Sequence, residues 1–292
     1  MDYSFARYLL SKQTVDDRAL NKDVVNALRL NMPSEPVTMI EVGGGIGTML
    51  KRLVDWDLLC TGEYVLVDAM DRNIAYAREW IPQWATDAGL DVTVISPAEL
   101  HVSGCTHDIR IRLECADVFP FIDHNQKPAD VLIAHAFLDL LPMPESLEKL
   151  LTLTRDLAWL TINFDGVSTL LPETDPAFDE RVEWLYHATM DRRPTGGDSR
   201  TGRKLFEYLR RNDTGILAAG ASDWVVHAKE GEYPGDEKYF LQFILGFFAD
   251  SLQASDEVDR PAVEDWLARR YEQIERGDLV YIAHQMDFLV RK

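Results

Sequence analysis

The 292-residue sequence is short of several things, and each shortage closes off a class of protein. Its three cysteines, Cys60, Cys105 and Cys115, contain no C-x-x-C pair, so neither a disulfide framework nor a thiolate zinc site is expected. His101, His107 and His124, with Cys105 and Asp108, show no H-E-x-x-H or other recognised ligand spacing, and no metal is expected. No run approaches the roughly 18 apolar residues that cross a bilayer. The longest candidate, Tyr239 to Ala249, contains Gln242 and Gly246 and reads as a core or lid helix, so no membrane partner is expected. The opening residues Met1 to Arg7 lack the charged start, apolar stretch and cleavage site of a secretion signal, which predicts a cytoplasmic protein. Basic residues are also few, 30 against 49 acidic, for a net charge of −19. Nucleic-acid binding draws most of its affinity from basic side chains that neutralise phosphates, so DNA and RNA are not expected as partners.

What remains is ordinary globular composition, with 46% hydrophobic residues and no low-complexity stretch. Apolar residues from Phe5 to Leu28 recur at helical spacing with a break near Thr14 to Asp17, which predicts two helices. After Pro33 and Pro36, Val37 to Val42 reads as a buried parallel strand, followed by glycines and a helix from about Gly47 to Trp56. Strands are then expected at Tyr64–Val67, Val131–Ala134 and Leu157–Phe164, with helices at Asp71–Trp84 and Glu145–Arg155. Of two further β-rich pieces, Ile109–Cys115 reads as the third core strand and Val92–Ile95 as a hairpin arm. This alternation predicts an α/β, doubly wound, mostly parallel sheet. Beyond Asp165 the rhythm breaks: a helical piece from Phe178 to Met190, bracketed by prolines and Gly196-Gly197, is expected to cap the sheet. Helices at Thr201–Arg211, Tyr239–Leu252 and Pro261–Arg276, a strand within Gly215–Ala228 and a closing strand at Leu279–Val290 complete the reading.

The loop Glu41-Val42-Gly43-Gly44-Gly45-Ile46-Gly47 is the most informative segment. A glycine turn between strand and helix lets backbone approach a ligand closely at a helix N-terminus. The dinucleotide fingerprint G-x-G-x-x-G requires a third glycine, and Thr48 stands there. An NAD-dependent oxidoreductase is therefore the less favoured reading. The pattern E-x-G-x-G-x-G instead resembles motif I of class I, Rossmann-like S-adenosylmethionine-dependent methyltransferases. Asp68 lies at the end of the second strand, 21 residues after Gly47, where a carboxylate can accept hydrogen bonds from ribose hydroxyls. Ala116-Asp117-Val118-Phe119 follows a strand as the family's adenine-binding segment does, and Ala129 to Pro142 is similar to its fourth strand and following turn.

The resemblance spans Val37 to Asp165 and implies a seven-stranded sheet with an antiparallel last strand. It implies S-adenosyl-L-methionine as cofactor, held by Glu41, Gly43, Gly45, Gly47, Asp68, Ala69, Asp117, Val118 and His135. With the pattern along the rest of the chain, one methyltransferase domain is expected: N-terminal helices in 1–32, a cofactor-binding half in 37–165, cap insertions in 166–200 and 229–276, and remaining core in 201–228 and 277–292. The fourth strand lacks the Asn/Asp-Pro-Pro-Tyr/Phe segment used on planar amino nitrogens, and no Pro-Cys pair offers a cytosine-attacking thiolate, so base methylation lacks its usual chemistry; a small-molecule oxygen or nitrogen is the expected acceptor. His135 is the general-base candidate, because an imidazole titrates near neutrality. Asp139, Asp165, Tyr186, His187 and Tyr239 are candidates for the substrate pocket, and Arg18 for pairing with the cofactor carboxylate. A noncatalytic regulatory binder and a protein methyltransferase, whose basic substrate tail would suit the acidic surface, remain alternatives.

Overall fold

The computed structural model describes residues 4–125, 127–194, 196–253 and 257–292. The described residues open with three helices, α1 (Ser4–Ser11), α2 (Gln13–Ala19) and α3 (Lys22–Asn31), where two were expected. The expected break at Thr14–Asp17 falls inside α2; the real interruptions are at Lys12 and at Leu20-Asn21. Asn21 caps α3 by accepting from the amides of Asp23 and Val24, at 3.1 Å each.

Then follow β1 (Val37–Val42), α4 (Thr48–Asp55), β2 (Thr61–Asp68), α5 (Asp71–Asp87), β3 (Asp91–Ser96), β4 (Glu99–Ser103) and β5 (Asp108–Cys115). The next elements are α6 (Val118–His124), β6 (Ala129–His135), a short 3₁₀ turn at Leu138–Leu140, α7 (Glu145–Leu151) and β7 (Thr154–Leu171). The last part holds α8 (Pro176–Asp191), α9 (Thr201–Arg211), β8 (Gly215–Ala221), β9 (Trp224–Val226), α10 (Glu237–Gln253), α11 (Arg260–Arg276) and β10 (Val280–Arg291). Among the described residues no helix is long and apolar enough to cross a membrane.

Among the described residues, ten strands join one sheet in the order β3-β4-β5-β2-β1-β6-β7-β10-β8, with β9 also paired to β10. The strands β5, β2, β1, β6 and β7 run parallel, and β10 is antiparallel to β7, as expected of the closing strand. The seven-strand expectation is exceeded because the β3–β4 hairpin extends the edge at β5 and because Ser222-Asp223 splits the penultimate strand into β8 and β9. The helix α6 was not anticipated; Asp117 caps it, accepting from the Phe119 amide at 2.9 Å.

The largest difference lies in β7, which runs on to Leu171, beyond the expected end at Phe164. Asp165-Gly166 reads as a terminus in sequence, yet Gly166 (φ +74°) lies within the strand, near a register shift between Ala283 and Gln285 of β10. Glycine and polar residues in a strand often mark such bulges rather than its end. The lengthened β7–β10 pair reaches under α8 and α10, which pack on each other and, through α10, on α1 and α11. The buried Asp287 of β10 ties three distant parts together, accepting from the amides of Asn21 at 2.8 Å and Ile162 at 2.7 Å.

Candidate functional site

At the C-terminal edge of the parallel strands, the turn from β1 into α4 carries three glycines with positive φ, Gly43, Gly45 and Gly47. At Gly43 (φ +66°) a Cβ would stand 2.2 Å from the Phe137 ring, so neither the conformation nor the space admits a side chain. The Gly44 amide donates to the carbonyl of Val67 at 3.1 Å, drawing the loop against β2. At the end of β2, Asp68 Oδ2 accepts from the Gly45 amide at 2.9 Å, while Oδ1 accepts from the Met70 amide at 2.8 Å and Asn73 Nδ2 at 3.0 Å. These bonds use three of about four acceptor positions of a carboxylate and leave capacity for a further donor. Burial raises the Asp68 pKa from its ordinary value, with the three donors opposing.

A cavity of about 310 Å³ lies over this loop. It is lined by Glu41, Gly43, Gly45, Asp68, Ala69, Asp117, Val118 and His135 of the residues singled out in the sequence. Gly47 does not line it and instead precedes the first turn of α4. Glu41 is buried beneath the loop and accepts from the Tyr64 hydroxyl. Burial pushes its carboxyl up to about 8, opposed by the Tyr64 bond.

His135 does not sit as a free base. Its Nδ1 is 2.8 Å from Thr161 Oγ1 and its Nε2 3.0 Å from Asp16 Oδ2. The consistent assignment is a neutral ring that donates through Nε2 to Asp16 and accepts at Nδ1 from the Thr161 hydroxyl. Burial lowers its pKa to about 4, against the upward pull of Asp16. With both nitrogens engaged, the general-base role expected of His135 does not fit; the ring links β6 to α2.

Asp16 is the hub that the sequence reading missed. It is fully buried, and besides His135 it takes Trp224 Nε1 at 2.9 Å and Lys12 Nζ at 3.3 Å, with Arg52 at 3.9 Å. Burial alone would raise its pKa, but Lys12, His135 and Arg52 outweigh that and hold it well below the usual range. The one local signal was the i,i+4 spacing of Lys12 and Asp16, which suits a surface helix equally well.

A second cavity, of about 510 Å³, lies beneath the cap. Phe5, Leu9, Lys12, Ala136 and Leu140 line both cavities, so the two share a wall built from α1 and the turn after β6. Aromatic rings dominate its lining, among them Tyr8, Phe164, Trp224, Phe247 and Tyr281. Of the substrate-pocket candidates, Asp139 and Tyr186 line this cavity. Asp165, His187 and Tyr239 line neither cavity. Asp165 is bound by Arg203 at 2.8 Å, His187 Nε2 is 3.1 Å from Ser168 Oγ, and Tyr239 stacks under the Arg7 guanidinium at 4.0 Å. Arg18, expected at a cofactor carboxylate, is held by both oxygens of Glu237 at 2.6 and 2.9 Å. At the opposite edge of the sheet, Asp57, Cys60 and His107 place three potential ligand atoms within 4.8 Å of one another, a grouping no sequence spacing suggested.

No family model and no curated protein sequence matches the chain. Its architecture does match solved structures. A Bacillus halodurans protein provisionally described as a methyltransferase is 10% identical, with 93% of this chain and 99% of that chain covered and a TM-score of 0.50. A cyclopropane synthase from Mycobacterium tuberculosis is 12% identical, with coverages of 92% and 83% and a TM-score of 0.44. A coclaurine N-methyltransferase bound to N-methylheliamine and S-adenosylhomocysteine is likewise 12% identical, with coverages of 92% and 72% and a TM-score of 0.43. The chain thus has the Rossmann-like fold of class I methyltransferases.

Proposed function

We propose that this chain is an S-adenosylmethionine-dependent methyltransferase acting on an oxygen or nitrogen of a small molecule. The observation that carries the reading is the pair of adjoining cavities, one over the glycine loop and one under the cap, with a common wall. The residues around the first suit this cofactor. Gly43 has no room for a side chain, Asp68 retains acceptor capacity for ribose hydroxyls, and Asp117 stands at the rim as a partner for an adenine amino group. When bound there, S-adenosylmethionine supplies an electrophilic methyl group on a sulfonium.

Displacement at such a centre depends chiefly on aligning the acceptor and excluding water. Leu9, Ala136 and Leu140 give the junction an apolar surface, and α8 with α10 covers the second cavity, which favours a small acceptor over a protein tail. His135 acts as a positioning residue, holding the β6 edge to α2 through Asp16.

Calorimetry with S-adenosylmethionine and S-adenosylhomocysteine tests the cofactor assignment; heat with NADH and with neither of these would replace it by the oxidoreductase reading. Transfer of a tritiated methyl group into a small-molecule extract tests the rest. Label recovered only in protein would redirect the acceptor, and cofactor binding without any transfer would leave a regulatory binder.

A further inference from the structure

The cap cavity differs from an ordinary apolar chamber in the polar groups left over within its lining. Arg193 and Asp139 both line it. Among the described residues Arg193 Nη1 has no hydrogen-bond partner although it is shielded from solvent, and no carboxylate lies within ion-pair distance of that guanidinium. The Asp139 carboxyl is enclosed, with its own backbone amide as hydrogen-bond donor and Arg193 acting on it through space. Gln285, only 2% exposed and also in the lining, has its Oε1 without a partner. A buried charge or amide oxygen is costly unless something pairs with it. By contrast, the buried charges Lys12, Asp16 and Arg52 are paired with one another or with Asp17. Asp250 also lines the cavity but lies on its exposed side, so the enclosed part holds the Arg193 guanidinium, the Asp139 carboxyl and one open acceptor among aromatic walls.

Resting on the methyltransferase reading for its role, we infer that the cap cavity takes an aromatic molecule carrying both an amine and a carboxylate, with the carboxylate on Arg193 and the ammonium on Asp139. A guanidinium offers a planar fork for a carboxylate, an ammonium finds its counter-charge in Asp139, and Gln285 Oε1 adds an open acceptor to the lining. The aromatic body packs against rings such as Tyr186, Trp224 and Phe247. A volume of about 510 Å³ accommodates a bicyclic aromatic body with such a side chain. Since Leu140 lines both cavities and adjoins Asp139, the ammonium end of the molecule faces the shared wall.

Four indole probes test the charge pattern by calorimetry or ligand-observed NMR: L-tryptophan, indole-3-propionate, tryptamine and 3-methylindole. Tryptophan is expected to bind at least tenfold tighter than 3-methylindole. Arg193→Gln should weaken tryptophan and indole-3-propionate about tenfold and leave tryptamine unchanged. Asp139→Asn should weaken tryptophan and tryptamine and leave indole-3-propionate unchanged. Equal binding of all four probes, loss of every probe in both variants, or no binding of any probe to the wild type at millimolar concentration overturns the inference. S-adenosylhomocysteine, titrated separately into each protein, keeps the two readings apart. Its failure to bind the wild type removes the methyltransferase reading, while the probe pattern still decides the charge assignment.

Discussion

The two cavities are built on opposite terms. Around the glycine loop the polar groups are already engaged by the protein: Asp68 holds three donors, His135 has both nitrogens occupied, and Asp16 neutralises Lys12. Under the cap, Arg193 Nη1 and Gln285 Oε1 have no hydrogen-bond partner among the described residues, and Asp139 feels Arg193 and Lys12 only through space. A site whose groups are paired in advance is rigid and serves a ligand that every relative of the fold could share. A site with unpaired groups is finished only by the molecule that completes it, and there selectivity resides, because the wrong molecule leaves buried charges unanswered.

The comparison breaks most severely at Asp16. Replacing it with alanine leaves Lys12 as a buried uncompensated charge and strips His135 and Trp224 of their acceptor, for an expected loss of about 3–5 kcal/mol in urea unfolding. A loss below about 1 kcal/mol would mean that the hub contributes little. Next in size is Asp68→Ala, expected to weaken S-adenosylhomocysteine on the order of a hundredfold, or about 2.7 kcal/mol, by calorimetry. A change under about threefold would remove Asp68 from the ribose contact.

The effect of acid is smaller and graded. His135 has a folded pKa of about 4 against an ordinary 6.5, so the unfolded chain takes up a proton first as the pH falls through that window. Its contribution should cost at most about 1.4 kcal/mol per pH unit between those values and have no slope above 6.5. Comparing unfolding of the wild type and His135→Gln over this range isolates the effect, and parallel pH profiles would refute it. Smallest of all, Arg193→Gln should lower stability by less than about 0.5 kcal/mol, since no hydrogen-bonded partner of Nη1 is lost. A loss of 2 kcal/mol or more, on the order of a broken buried pair, would show that Arg193 is engaged after all and that the contrast between the cavities is false.

The same contrast explains what could be read from the sequence. Glu41, Gly43, Gly45, Asp68 and Asp117 were visible because each lies at a strand end in a fixed order, and a parallel sheet brings successive strand ends together. The cap cavity draws its walls from α1, β7, α8, β9, α10 and β10, whose spacing in sequence carries no shared period. Asp139 and Tyr186 were found by their neighbourhood, whereas Asp165 and His187, chosen on the same ground, lie outside both lining sets. Chain position locates a residue on β7 or α8 without saying which face it occupies once Gly166 and the neighbouring bulge have shifted the register. Lys12 and Asp16 escaped notice because burial turns a helix-surface pair into a core one only after β9 delivers Trp224.

The position of β10 bears on how the two chambers come into being. It lies between β7 and β8, and its Asp287 closes contacts across 266 and 125 positions of sequence. Loops of that length are entropically expensive to close, and proteins dominated by such contacts fold slowly. The β1–β2–β6 part, whose loops surround the first cavity, joins through shorter separations. Sequence separation thus predicts that the strands carrying the glycine loop pair before Tyr281 and Gln285 arrive to wall the second chamber.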